Sequence, residues 1–166
     1  MLKEFDISKL TFNPFERIGK DWCLISAGNE EAYNTMTASW GGVGILWNKC
    51  VATVYIRPQR YTKKFVDEAD TFTLAFFPEG YREALTFCGK YSGRDYDKAK
   101  ETGLTPWFVD GSVAFEEADL VIVCRKLYAQ EMSADSFVDK DVLDRNYPAN
   151  DLHTVYIGEI VKAYCK

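Results

Sequence analysis

The sequence predicts a mainly β fold, a closed antiparallel barrel with helices packed at its ends. Three observations predict it. Six runs rich in β-branched and aromatic residues punctuate the chain. Aromatic residues make up 15% of it, a load that suits strands and flat pockets better than a helical bundle. The strands outnumber the helical stretches, and unless they close on themselves they leave exposed edges. The 166 residues are read as one domain, 1–166, long enough to bury roughly 70% of the surface that the unfolded chain exposes.

The elements follow in order. "WCLISA" (22–27) is short, apolar and bounded by "GNE", as a buried strand is. "YNTMTASWGG" (33–42) alternates hydroxyl and larger side chains and reads as a second strand. "CVATVYI" (50–56) and "TFTLAFF" (71–77) are strands of the same kind, and "DLVIVCRKLYAQEM" (119–132) is long enough to require a bend or bulge. "HTVYIGEIVKAYCK" closes the chain with a last strand. Helices are expected over "TKKFVDEAD" from Thr62, "YREALTFCGK" from Tyr81 and "RDYDKAKET" from Arg94, the last capped by Ser92 and stopped by Gly103. A fourth falls in "SFVDKDVLDR" after Asp135. The uneven intervals exclude a propeller or repeat architecture.

Composition excludes several function classes. A formal net charge of −5 argues against nucleic acid as a general partner, so any bound anion needs a local basic cluster. Cys23, Cys50, Cys88, Cys124 and Cys165 stand singly and odd in number, which fits a reduced, cytoplasmic chain. "MLKEFDISKLTF" lacks the apolar stretch of a signal peptide, and no run of about 18 apolar residues occurs, so no membrane association is expected. One histidine and cysteines without zinc spacing predict no metal site. No G-x-S-x-G elbow or phosphate-binding P-loop is present, and "GGVG" lacks the spacing of a dinucleotide fingerprint.

Four segments carry possible chemistry. "RPQRYTKK" gathers Arg57, Arg60, Lys63 and Lys64 with no acid among them, between a strand and a helix start where Thr62 and free N–H groups would face an anion. The same run also reads as a solvated strand end. "SGRDYDKAK" repeats the pattern with Ser92, Gly93, Arg94 and Lys98, and equally describes an ordinary capped helix. In "YNTMTASWGG", Thr35, Thr37 and Ser39 share one face, and Asn34, Met36, Ala38 and Trp40 the other. That row is either a wet strand surface or one wall of a pocket, with Gly41, Gly42 and Gly44 thinning the backbone beyond it for a bulge or a close ligand. His153, at the start of the last strand, is either a satisfied structural histidine or a donor to a bound ligand. Tyr81, Tyr91, Trp107 and Phe108 read as core or interface aromatics.

In this order, "NTMTASWGG", "VYIRPQRYT", "SGRDYDK" and "HTVYIGEI" resemble the flavin reductase-like proteins with an FMN-binding split barrel, from about Trp22 to Ala163. The resemblance implies a split antiparallel β-barrel with several peripheral helices, and a homodimer with FMN near the interface. It implies that Asn34, Thr35, Met36, Thr37, Ala38, Ser39 and Trp40 run along the isoalloxazine and ribityl chain. Arg57, Gln59, Arg60, Tyr61 and Thr62, with Ser92, Gly93, Arg94 and Lys98, would meet the ribityl phosphate, and His153 would be the catalytic group near the flavin face. The implied activity is an FMN-dependent oxidoreductase of the flavin reductase type, passing electrons from NADH or NADPH to a second flavin or another acceptor. The alternatives within the same pattern are a flavoredoxin-like carrier that oxidises no nicotinamide, and a non-enzymatic flavin-binding module.

Overall fold

The computed structural model describes residues 1–166. Its strands are β1 (Lys3–Phe5), β2 (Cys23–Gly28), β3 (Tyr33–Ala38), β4 (Gly41–Leu46), β5 (Lys49–Ile56), β6 (Thr71–Phe76), β7 (Pro106–Val109), β8 (Ser112–Phe115), β9 (Leu120–Glu131) and β10 (Thr154–Cys165). The helices are α1 (Pro14–Arg17), α2 (Thr62–Glu68), α3 (Arg82–Lys90), α4 (Lys98–Thr102) and α5 (Lys140–Asn146). One sheet runs β3-β2-β6-β9-β10-β5-β4, with β1 added beside β10, and every pairing in it is antiparallel. The end strands β3 and β4 are consecutive in sequence yet not hydrogen-bonded to each other. The barrel is therefore split at that seam and not fully closed.

Strand alternation sorts side chains onto two cores. Ile25 of β2, Met36 of β3, Val54 of β5, Leu74 of β6, Ile122 of β9 and Tyr156 of β10 meet inside the curl of the sheet. Their neighbours Leu24, Ala75, Val121 and Val123 face outward and are covered by Leu85 and Cys88 of α3, Ala99 of α4 and Phe115 of β8. The long strands bend as expected. Register shifts between β9 and β10 leave Leu127 and Val161 without directly opposed partners. At Gly158 a Cβ would stand 2.7 Å from Cys124 Cβ and 2.8 Å from the Phe72 ring, so only glycine lets β10 lie this close.

Several elements differ from the sequence reading. The segment 33–42 is two strands, because the chain breaks at Ser39–Trp40 before β4 begins. A Cβ on Gly41 would come within 2.9 Å of the Thr53 carbonyl, so the glycine permits β4 to press against β5. That β4–β5 hairpin turns on Trp47 and Asn48, both at positive φ (53° and 57°), as a tight two-residue loop requires. A second hairpin, β7–β8, turns on Asp110 and Gly111. The helix expected from Arg94 starts only at Lys98, capped by Asp97 in place of Ser92, and it ends at Gly103 as expected. The helix expected after Asp135 begins at Lys140, where Asp139 accepts from the Asp141 N–H.

Candidate functional site

Where the split opens, a cavity of about 540 Å³ is walled by Ser39, Trp40, Gly41 and Gly42 from the β3–β4 corner, Tyr55 from β5, Met132 beyond β9, Tyr147 beyond α5, and His153. Its mouth is set by α1. Asn13 caps that helix by accepting from the Phe15 N–H, Pro14 takes the first turn, and Phe15 is left 86% exposed beside the opening. The volume lies within the roughly 300–1,000 Å³ typical of ligand pockets.

His153 sits among rings, 5.5 Å from Trp40, 5.5 Å from Tyr147 and 6.3 Å from Tyr55 between centroids. Its Nδ1 is 2.6 Å from the Tyr147 hydroxyl. Burial first, and then the Arg57 charge, pull its pKa down to about 4 against the opposing pull of Asp151, so the imidazole is uncharged at neutral pH. Arg57 is fastened behind this wall. Its guanidinium donates to Asp151 at 2.8 Å and to the Asn146 carbonyl at 2.9 Å, and lies 4.9 Å from the centre of the Tyr147 ring. Gln59 donates to the same Asp151 carboxylate at 2.8 Å.

The basic run predicted from sequence thus divides. Arg57 and Gln59 turn toward Asp151, whereas Arg60, Lys63, Lys64 and Arg94 line a second cavity of about 310 Å³ together with Asp67 and Glu68. Arg60 donates to the Gly89 carbonyl at 2.8 Å and reaches the Thr37 carbonyl at 3.5 Å; its burial lowers its pKa. Arg94 donates to the Gln59 carbonyl at 3.2 Å and lies over Tyr61 at 4.7 Å. Lys63 is paired with Asp67 at 2.7 Å. The "SGRD" turn is held down where Ser92 Oγ accepts from the Arg94 N–H. A Cβ at Gly93 would fall 2.0 Å from the Asn34 side-chain oxygen, so a larger residue there has to displace Asn34.

Three expectations about anion-facing groups are corrected by the geometry. The Thr62 hydroxyl is buried and accepts from Asn34 Nδ2 at 2.9 Å, so it does not face outward. The N–H groups of Lys63 and Lys64, read as free, donate to the Arg60 and Tyr61 carbonyls. Lys98 is buried with its ammonium on the carbonyls of Thr35 and Cys88 at 2.7 and 2.8 Å, tying α4 to β3 and α3. Two of the three hydroxyls in the row are engaged within the fold: Thr35 bonds with Ser26 at 2.8 Å inside the sheet, and Thr37 donates to the Leu85 carbonyl of α3. Met36 and Ala38 belong to the inner core. Of the whole stretch 33–42, Ser39, Trp40, Gly41 and Gly42 reach the aromatic cavity.

Phe15, Tyr55, Met132 and Tyr147 are absent from the residues singled out in the sequence, because they lie in four separate segments and converge only through the curl of the sheet. "NYPAND" was the available signal for Tyr147, a turn placing an aromatic six residues before His153. The five cysteines are unpaired thiols, no three His, Cys, Asp or Glu side chains gather to hold a metal ion, and no helix is long and apolar enough to cross a membrane.

Comparison with solved structures gives the same architecture. Flavoredoxin from Methanosarcina acetivorans superposes with a TM-score of 0.70 at 19% identity, covering 95% of this chain and 75% of that one. An FMN-binding protein from Thermus thermophilus gives 0.68 at 20% identity, over 87% and 71%. The NADH:FAD oxidoreductase of Streptomyces globisporus C-1027, in complex with NAD and FAD fragments, gives 0.65 at 14% identity, over 88% and 74%. At these identities the likeness establishes the split-barrel fold. No curated protein matches the chain in sequence. A family model does, described as the flavin reductase like domain, and it matches residues 15–166, taking in the basic cavity, the lining of the aromatic cavity apart from Pro14, the seam between β3 and β4, and His153. On that match over almost its entire length, the chain belongs to the flavin reductase-like family.

Proposed function

We propose that this protein binds FMN and is an oxidoreductase of the flavin reductase type, accepting electrons from NADH or NADPH and passing them to a second flavin or another small acceptor. One observation carries the reading. The aromatic and basic cavities flank one end of β3: Arg60 of the basic cavity reaches the Thr37 carbonyl, two residues before Ser39 at the aromatic wall. A flat ring and a phosphate on one chain fit such a pair. The residues suit the group. Four cations face two carboxylates in the basic cavity, which matches a phosphate carrying roughly −1.5 to −2 charges. The aromatic cavity offers apolar walls and an uncharged imidazole to the ring.

FMN bound there would supply the redox chemistry. The chain's own part is to bind, orient and exclude water. Arg60 and Arg94 hold the phosphate with charge-assisted bonds. Trp40 and Tyr55 cover the ring, and His153 donates a hydrogen bond to it or to the electron donor. The relatives named for FMN binding and for NADH:FAD oxidoreduction support this reading by kinship.

We also propose that the partner is a second copy. The edge strand β4 presents Ile45 at 72% exposure, and Trp47 at the hairpin turn is 53% exposed, an apolar edge that a lone barrel would leave in water. Titration of the purified protein with FMN tests the cofactor: flavin absorbance should be retained through gel filtration, and a colourless eluate would refute it. Anaerobic mixing of the loaded protein with NADH or NADPH tests the reaction, because a holoprotein that stays yellow is a carrier and not a reductase.

A further inference from the structure

Tyr147 takes no part in the reading above, yet it makes the shortest contact to the one histidine of the chain. Its hydroxyl is 2.6 Å from His153 Nδ1 and 3.6 Å from Met132 Sδ. A phenol has one proton to give. Giving it to the thioether would spend it on a weak acceptor and require an Nδ1–H on the imidazole; giving it to Nδ1 satisfies the stronger acceptor at the shorter distance. The other ring nitrogen, Nε2, has no hydrogen-bond partner in the protein. Ser112 Oγ is the one fully buried side-chain polar atom left without a partner, so Nε2 is reached from the cavity that His153 lines.

We infer that Tyr147 is a positioning residue which fixes His153 in the tautomer carrying its proton on Nε2, so that the cavity presents an uncharged N–H donor suited to a carbonyl oxygen or ring nitrogen of a flat neutral ligand. The surrounding charges act in the same direction. Arg57 lies over the Tyr147 ring from one side and disfavours an imidazolium, while Asp151, the carboxylate that pulls the other way, is already bound by Arg57 and Gln59. Tyr55 and Trp40 face the imidazole from β5 and the β3–β4 corner and bring no charge at neutral pH. Arg57 thus holds Tyr147, Tyr147 holds His153, and the donor faces the ligand. Its use in redox chemistry rests on the flavin reading; the tautomer itself is measurable without flavin.

Because His153 is the only histidine, ¹⁵N-histidine labelling yields a single imidazole to observe. Two-bond ¹H–¹⁵N spectra of the purified protein at pH 7 should show Nε2 as the protonated, pyrrole-type nitrogen and Nδ1 as pyridine-type. Protonated Nδ1, or an imidazolium at pH 7, overturns the inference. In Tyr147→Phe the two nitrogen shifts should draw together as the tautomers mix, and loss of the donor to Nδ1 should move the titration midpoint upward. Unchanged shifts in that variant would assign the tautomer to another cause and overturn the role of Tyr147. Should the variant not fold, the wild-type spectrum still decides the tautomer. On FMN addition the Nε2 resonance should move more than Nδ1. If FMN does not bind while Nε2 stays protonated, the flavin reading fails and the tautomer stands.

Discussion

Lys98 Nζ lies 2.7 Å from the carbonyl oxygen of Thr35, at a site where the lysine is almost wholly buried. Burial pulls its pKa from the usual 10.5 to about 8, partly opposed by Cys88. The sign of the consequence follows by linkage. Between about 8 and 10.5 the unfolded chain holds more protons than the folded one, so stability should rise with pH across that window and lose this contribution to the slope below it. Denaturant midpoints measured from pH 7 to 10.5 check this. Lys98→Met should flatten the trend and, by orphaning two buried carbonyls, cost about 1–3 kcal/mol at pH 7.

Arg94→Ala separates phosphate from ring. Arg94 is exposed and its bonds within the chain are few, so the fold should persist. Loss of a charge-assisted contact of about 1.5–3 kcal/mol predicts FMN binding weaker by roughly 10- to 100-fold, with riboflavin nearly unchanged. Fluorescence titration with both flavins makes the comparison. Equal losses would put the phosphate elsewhere.

Ile45→Glu places a charge in the middle of the exposed apolar edge of β4. The side chain is already in water, so thermal stability of the subunit should change little. Sedimentation velocity should show a shift from dimer to monomer, and a wild-type monomer at micromolar concentration would remove the proposed partner.

Gly158→Ala should be poorly tolerated. The added methyl would need space already filled by Cys124 and Phe72 in the inner core, an overpacking that costs about 1–3 kcal/mol. A fall in the urea midpoint without a change in slope would report it.

Much of the barrel was legible because its strands are buried and regular: Ile25, Leu74 and Ile122 alternate with outward neighbours just as the pleat requires. The two hairpins at Trp47–Asn48 and Asp110–Gly111 were not legible, since Trp47 is an unusual residue to hold positive φ and β7 and β8 are only four residues each. At the site, the structure brings parts of the segments singled out in the sequence to the two cavities, but which side chains they turn inward was not legible. Thr35, Thr37 and Lys98 looked like ligand groups, and each is instead engaged within the fold, by Ser26 of β2, the Leu85 carbonyl of α3 and the Thr35 carbonyl of β3. Arg57 and Arg60, three residues apart, part company because Asp151 claims one and the Gly89 carbonyl the other.

The sheet has two ends, and they are not equally open to a newcomer. On β3, the carbonyls of Thr35 and Thr37 already receive Lys98 and Arg60, long cations reaching in from α4 and from the turn before α2. An incoming strand would have to displace both before it could find an acceptor there. β4 carries no such guard along Val43, Gly44 and Ile45. Of these two end strands, β4 is therefore the one whose edge a neighbouring strand could meet without first displacing a side chain.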